Sequence, residues 1–168
     1  YNLGLAYLHG QGVVKSESQA LEWLSKAAEH STAAKYELGR LHEVKTNLNH
    51  DFAKAKDWFQ QAAQEGHRDA QAALGRMYHY GLGVAVSNAT AVDWYRKAAD
   101  QGDAVAQIEV GVAYYFGHGV AKDYKEALMW CTKAAGQNNA RAQRILGIVY
   151  ESVFGLPKKD FSAATRWY

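Results

Sequence analysis

One interval governs this chain. A small-residue pair, Leu-Gly or Val-Gly, returns with its glycine at positions 4, 39, 75, 111 and 147, at spacings of 35, 36, 36 and 36. Tryptophan obeys the same interval, at 23, 58, 94 and 130, each 19 residues after its glycine. Trp167 comes 20 residues after Gly147, one residue being added near Lys158-Lys159, so a single repeat position accounts for all five tryptophans. A period of this length means stacked supersecondary units, each with an apolar face that only its neighbours can bury.

Within each unit the periodicity is that of two helices. The first carries an alanine five residues before the glycine (Ala34, Ala70, Ala106, Ala142) and a tyrosine three after it (Tyr7, Tyr78, Tyr114, Tyr150), one stripe at helical spacing. The second carries an alanine three residues before the tryptophan (Ala20, Ala55, Ala91, Ala127) and an alanine pair after it, such as Ala62-Ala63 and Ala98-Ala99. Small residues let antiparallel helices approach, and the Trp and Tyr rings are expected to fill the space left over.

Turn and cap residues divide the units in the same way. Gly-x-Gly-Val at Gly10, Gly81 and Gly117 follows the first helix, where glycine can take the left-handed conformation that ends it. Ser16 with Gln19 and Asp123 with Glu126 match the capping box, and Asp51, Ser87 and Asp160 are further N-cap candidates. Gly66, Gly102 and Asn138 stand where the second helix should close.

Ala-x-x-x-Val-Gly-x-x-Tyr-x-x-Gly-x-Gly-Val, followed by Asp-Tyr-x-x-Ala-x-x-Trp and Lys-Ala-Ala, runs from Ala106 to Ala135. This resembles the Sel-1-like repeat family, helical-hairpin relatives of the tetratricopeptide repeats. The resemblance spans essentially the whole chain and implies an all-α fold: a right-handed α-solenoid of antiparallel helix pairs with about five repeats of ~36 residues. The expected division is one solenoid domain over 1-168, with repeats at 1-30, 31-66, 67-102, 103-138 and 139-168, the last truncated, in a fragment of a longer chain. Repeat 2 departs from the pattern with His42, Lys45, Asn47 and Leu48, and repeat 5 with Val153 and Pro157, so their interhelix loops should differ. The paired cysteines of the family's cysteine-rich branch are absent.

Composition excludes several functions. The formal net charge is +2 with no dense Lys/Arg run, so nucleic acid is not implied even at a pI of 8.6. Apolar stretches such as 110–116 fall far short of the roughly 20 residues that cross a bilayer, so no membrane insertion is expected. One cysteine makes no internal disulfide; the compartment stays open, with the cytoplasm slightly favoured over periplasm or secretory lumen. Cys131 follows Trp130 in the slot held by Leu24, Phe59 and Tyr95, and is read as a small core residue.

No cofactor or metal is expected. The seven histidines, His9, His30, His42, His50, His67, His79 and His118, share no register, so they build no ligand ladder. The glycine loops follow helices and lack the third glycine of a dinucleotide fingerprint. Asn88-Ala89-Thr90 fits a glycosylation acceptor in an exposed loop, a triplet common by chance.

The informative positions are those the scaffold leaves free. By analogy with tetratricopeptide geometry, offsets −3, +1, +4 and +5 from each glycine should face a concave groove. The candidate partner-binding residues are Tyr36, Arg40, Glu43, Arg76, His79, Tyr80, Ile108, Tyr115, Phe116, Arg144 and Glu151. Arg40 and Arg76 share an offset and should lie as neighbouring guanidiniums among aromatic rings, suited to a peptide with apolar side chains and a few carboxylates; the alternative is that they merely pair with Glu37 or Glu43. The reading is a non-enzymatic scaffold or adaptor for a protein or peptide partner. A groove-hosted hydrolase or glycan-binding activity would need a converging set such as His79 with Glu43, and a structural spacer would need no groove at all. The apolar faces of residues 1–8 and 161–168 suggest end-to-end self-association.

Overall fold

The computed structural model describes residues 1–44, 51–137 and 139–154, with side chains to residue 152. Among them are nine helices and no strand: α1 Asn2–His9, α2 Glu17–Ala28, α3 Thr32–Glu43, α4 Phe52–Gln64, α5 Arg68–Tyr80, α6 Asn88–Asp100, α7 Ala104–Phe116, α8 Tyr124–Ala135 and α9 Ala140–Phe154. Consecutive helices pack on one another, and α7 also touches α9. The result is an α-solenoid of helix pairs with a chain of small cores in place of one central core.

The local signals explain the boundaries. Gly10, Gly81 and Gly117 end α1, α5 and α7 in the left-handed region, with φ of 71°, 70° and 77°. In α9 the same position is Val153, which has no such freedom, and that helix runs on to 15 residues where α5 and α7 have 13. Ser16, Asp51, Ser87 and Asp123 accept backbone N–H bonds at the starts of α2, α4, α6 and α8. A further cap had no sequence signature: His67 Nδ1 accepts from the Ala70 N–H at 3.3 Å and opens α5. Gly66 and Gly102 close α4 and α6 with φ of 90° and 87°. The expected caps Asp160 and Asn138, the repeat 2 loop residues Lys45, Asn47 and Leu48, and His50, Pro157 and Trp167 lie outside the described residues. Asn88 begins α6 and is not in an exposed loop, because Ser87 caps the helix there.

The packing corrects one expectation. What sits over each of the first four anchor glycines is the residue after the tryptophan, not the tryptophan itself. A Cβ built on Gly4, Gly39, Gly75 or Gly111 would lie 2.7, 2.6, 2.6 and 2.6 Å from Leu24, Phe59, Tyr95 and Cys131 respectively. Those four side chains are buried, whereas among the described tryptophans Trp23, Trp58 and Trp94 stay partly exposed and only Trp130 is buried. The glycine is thus a contact requirement of the hairpin: the second helix presses a side chain into the space where a Cβ would be.

A second repeated contact clamps the hairpins together. Gln71 and Gln107 are buried; each donates to a backbone carbonyl in the last turn of the preceding helix, Ala63 of α4 or Ala99 of α6, at 3.1 Å. Each also accepts from a glutamine 30 residues later, Gln101 at 2.8 Å and Gln137 at 2.9 Å. Those partners in turn donate to Gly66 and Gly102 carbonyls at 3.0 Å. In repeat 2 the same pair of positions holds Lys35 and Glu65, joined as an ion pair.

Candidate functional site

The first helices α3, α5 and α7 present their free positions on one face. Between α3 and α5, reaching the start of α7, lies a pocket of about 290 Å³ lined by Tyr36, Arg40, Glu43, Asp69, Arg76 and Asp103, with Phe59 and Tyr95 from the second helices beneath. A smaller hollow of about 220 Å³ continues it toward α1, lined by Leu8, His9, Lys15, Glu37, Leu41 and Val44. Arg40 borders both.

Both arginines of the pocket are held by carboxylates. Arg76 Nη2 donates to both carboxylate oxygens of Glu43 at 2.6 Å, a bond across two repeats. Arg40 is held less firmly, by Glu37 of its own helix at 3.2 Å. Both arginine side chains remain about half exposed, at 54% and 47%. They are therefore oriented by carboxylates and still open to a ligand. Tyr36 lines the same pocket: it stacks on the His67 ring at 4.6 Å and 21°, and the Arg40 guanidinium carbon lies 5.9 Å from its centroid. Burial raises the Tyr36 hydroxyl pKa against a lowering by Arg40, and burial pushes Tyr95 higher still, so both hydroxyls stay protonated donors at neutral pH.

The other expected residues fall elsewhere. His79 and Tyr80 meet edge to face at 4.6 Å at the end of α5. His79 lines a separate narrow hollow of about 20 Å³ with Tyr95, Glu109 and His118, so it does not share a pocket with Glu43 as a hydrolytic pair would require. Tyr115 hydrogen-bonds Ser152 at 2.6 Å and meets Phe116 edge to face at 4.7 Å; Phe116 is 55% exposed and stacks on His118. Arg144 and Glu151 are exposed on α9. Ile108 corrects the expectation: it is fully buried with Ala127, Ala142 and Leu146, because α9 lies against α7 as well as α8 and covers that offset.

Sequence reasoning missed Asp69, Asp103 and Val105, which also line the pocket. Asp69 and Val105 stand at offset −6, one turn before the −3 position, and extending the helical stripe by three residues finds them. The same offset in α9 is Arg141, which pairs with Glu109 at 2.7 Å. Among the described residues no group of three or more His, Cys, Asp or Glu could hold a metal ion. No helix among them is long and apolar enough to cross a membrane. Cys131 is enclosed, and burial pushes its thiol up to about 12, far from a reactive thiolate.

Comparison with known sequences decides the family: the Sel1 repeat matches five times in succession, at residues 1–31, 32–67, 68–103, 104–139 and 140–168. The chain belongs to the Sel1 repeat family. A Sel1 repeat protein from Oxalobacter formigenes is 38% identical, with a TM-score of 0.85 over 99% of this chain and 68% of its own. A protective antigen of uropathogenic Escherichia coli with the same repeat fold is 29% identical, with a TM-score of 0.59 over 100% of this chain and 44% of that one. An immunity protein of Pseudomonas aeruginosa is 25% identical, with a TM-score of 0.55 over 99% of this chain and 60% of that one. A search of the curated proteins found no match. Sel1 repeat proteins are generally scaffolds for protein interaction and generally non-enzymatic.

Proposed function

We propose that this Sel1 repeat chain is a non-enzymatic adaptor that binds a partner protein or peptide along the groove formed by its first helices. The observation that carries the reading is the convergence of Tyr36, Arg40 and Arg76 on one pocket, with both arginine side chains half exposed and their guanidiniums oriented by carboxylates. Arginine and tyrosine anchors in a pocket are the residue types that concentrate binding energy. The occupant with matching chemistry is an extended or helical segment that offers a carboxylate to Arg40 and Arg76 and apolar side chains to Tyr36 and Val105. Tyr80, Tyr115 and Phe116 extend the aromatic surface along the same helices, and Arg144 and Glu151 supply exposed charge at its far end. Ile108 has no place in this surface.

The test is affinity capture with the wild-type chain and with an Arg40→Glu, Arg76→Glu variant of native helicity. Loss of at least about tenfold in partner recovery from the variant is expected, the effect of removing a hot-spot anchor. Equal recovery places the working surface elsewhere, and no specific partner on either chain marks a spacer.

A further inference from the structure

Three of the four described tryptophans share a small device. Lys26 lies over the Trp23 ring at 4.7 Å, Lys97 over Trp94 at 3.9 Å and Lys133 over Trp130 at 4.3 Å. In each repeat the lysine comes three residues after the tryptophan, one helical turn on, so its ammonium reaches back over the indole face. In α4 that position is Gln61, and among the described residues no cation lies over Trp58.

The place where the lysine would be is open. A hollow of about 440 Å³ is lined by Ser25, Ala28 and Glu29 from the end of α2, Lys35 from α3, and Trp58 and Gln61 from α4. It shares no lining residue with the first-helix pocket. Its electrostatics favour a cation three times over. Trp58 is partly exposed, lines the hollow and carries an electron-rich ring face. The last carbonyls of α2 bring the negative end of a helix dipole to the rim. Glu29, exposed at that helix end, has no ion-pair partner among the described residues. The cation already in the wall, Lys35, is only 14% exposed and its charge is taken up by Glu65.

We infer that this hollow is a second docking point, which receives a lysine or arginine side chain of a partner protein. The incoming cation takes over Trp58 the position that a lysine of the chain itself takes over Trp23, Trp94 and Trp130, and it pairs with Glu29 at the rim.

The test follows the indole Nε1–H resonance of Trp58 in the ¹⁵N-labelled chain, assigned with Trp58→Phe, as capped Gly-Lys-Gly is added and compared with capped Gly-norleucine-Gly. The lysine peptide is expected to shift Trp58 and the norleucine peptide to leave it in place. Gln61→Lys, which gives this repeat the lysine its siblings carry, is expected to abolish the response with helicity unchanged. Glu29→Gln should weaken it about threefold, the scale of an exposed ion pair. Equal shifts from the two peptides, no shift of Trp58, or an undiminished response in Gln61→Lys overturns the inference.

Discussion

The anchor glycine and the residue after the tryptophan behave as one steric pair, which gives the repeat its sharpest test. In repeat 4 a Cβ on Gly111 would lie 2.6 Å from Cys131 Sγ, about 1 Å inside the ordinary contact range of about 3.5–4.0 Å. Forcing a methyl into such a contact costs about 1–3 kcal/mol. Replacing a mid-helix glycine by alanine returns about 0.8–1.0 kcal/mol through helix propensity. Gly111→Ala alone should therefore destabilise the chain by up to about 2 kcal/mol. Once Cys131→Ala has removed the sulfur, the nearest atoms to the new methyl are Ala127 O at 3.3 Å and Cys131 N at 3.4 Å, close but tolerable. In that background the same Gly111→Ala change should be neutral or stabilising by up to about 1 kcal/mol, since only the propensity gain remains. The two substitutions should thus couple by about 1–3 kcal/mol in favour of the double variant. Urea unfolding of the four proteins, followed by far-UV circular dichroism, measures this directly. Additivity within about 0.5 kcal/mol would refute the steric account of the repeat glycine.

Other consequences follow from single contacts. Gly119→Ala should cost more than about 2 kcal/mol, because φ is +78° and a Cβ would meet backbone of Asn88 at 2.4 Å, whereas Gly102→Ala, at φ +87° with nothing nearby, should cost only about 1 kcal/mol; thermal midpoints of the two variants check the order. Gln107→Leu should destabilise by about 1–3 kcal/mol by stripping Ala99 O and Gln137 of their partner, with the loss read from urea midpoints. Stability should also fall in alkali. The Cys131 thiol is held at about 12 in the folded chain against about 9 when exposed, so above pH 9 the unfolded state releases a proton that the folded state keeps. This removes about 1.4 kcal/mol per pH unit up to pH 12, and Cys131→Ala should flatten the slope by that amount. A slope unaltered by Cys131→Ala contradicts the burial of that thiol.

What the sequence discloses follows the period. The glycine, alanine and cap positions recur because each hairpin meets the same backbone geometry, so they are legible without coordinates. The partner of the glycine was equally periodic, as Leu24, Phe59, Tyr95 and Cys131, but its side chains differ so much in size that only the contact reveals their common task. The clamp at Lys35 and Glu65, Gln71 and Gln101, and Gln107 and Gln137 hides in the same way, an ion pair in one repeat replacing an amide pair in the next two. Ile108 misled because offset arithmetic treats every first helix alike, whereas α9 closes over α7 there. Arg40 and Arg76 line one pocket, and the alternative that they pair with Glu37 and Glu43 is what the structure holds, one bond within a helix and one across two repeats. Asp69 and Asp103 were passed over because one precedes the chosen stripe and the other is the cap of α7.

The groove is tested most directly by placing a photo-crosslinking amino acid at Ala72, which lines the pocket beside Arg76, and another at Lys122, in the turn before α8 and outside that pocket. Crosslinking to a binding partner, mapped by mass spectrometry, should occur at position 72, be lost with Arg40→Glu and Arg76→Glu, and be weak or absent at 122. Adducts at position 122 with none at 72, or adducts at 72 that persist through both arginine reversals, would contradict the proposed groove.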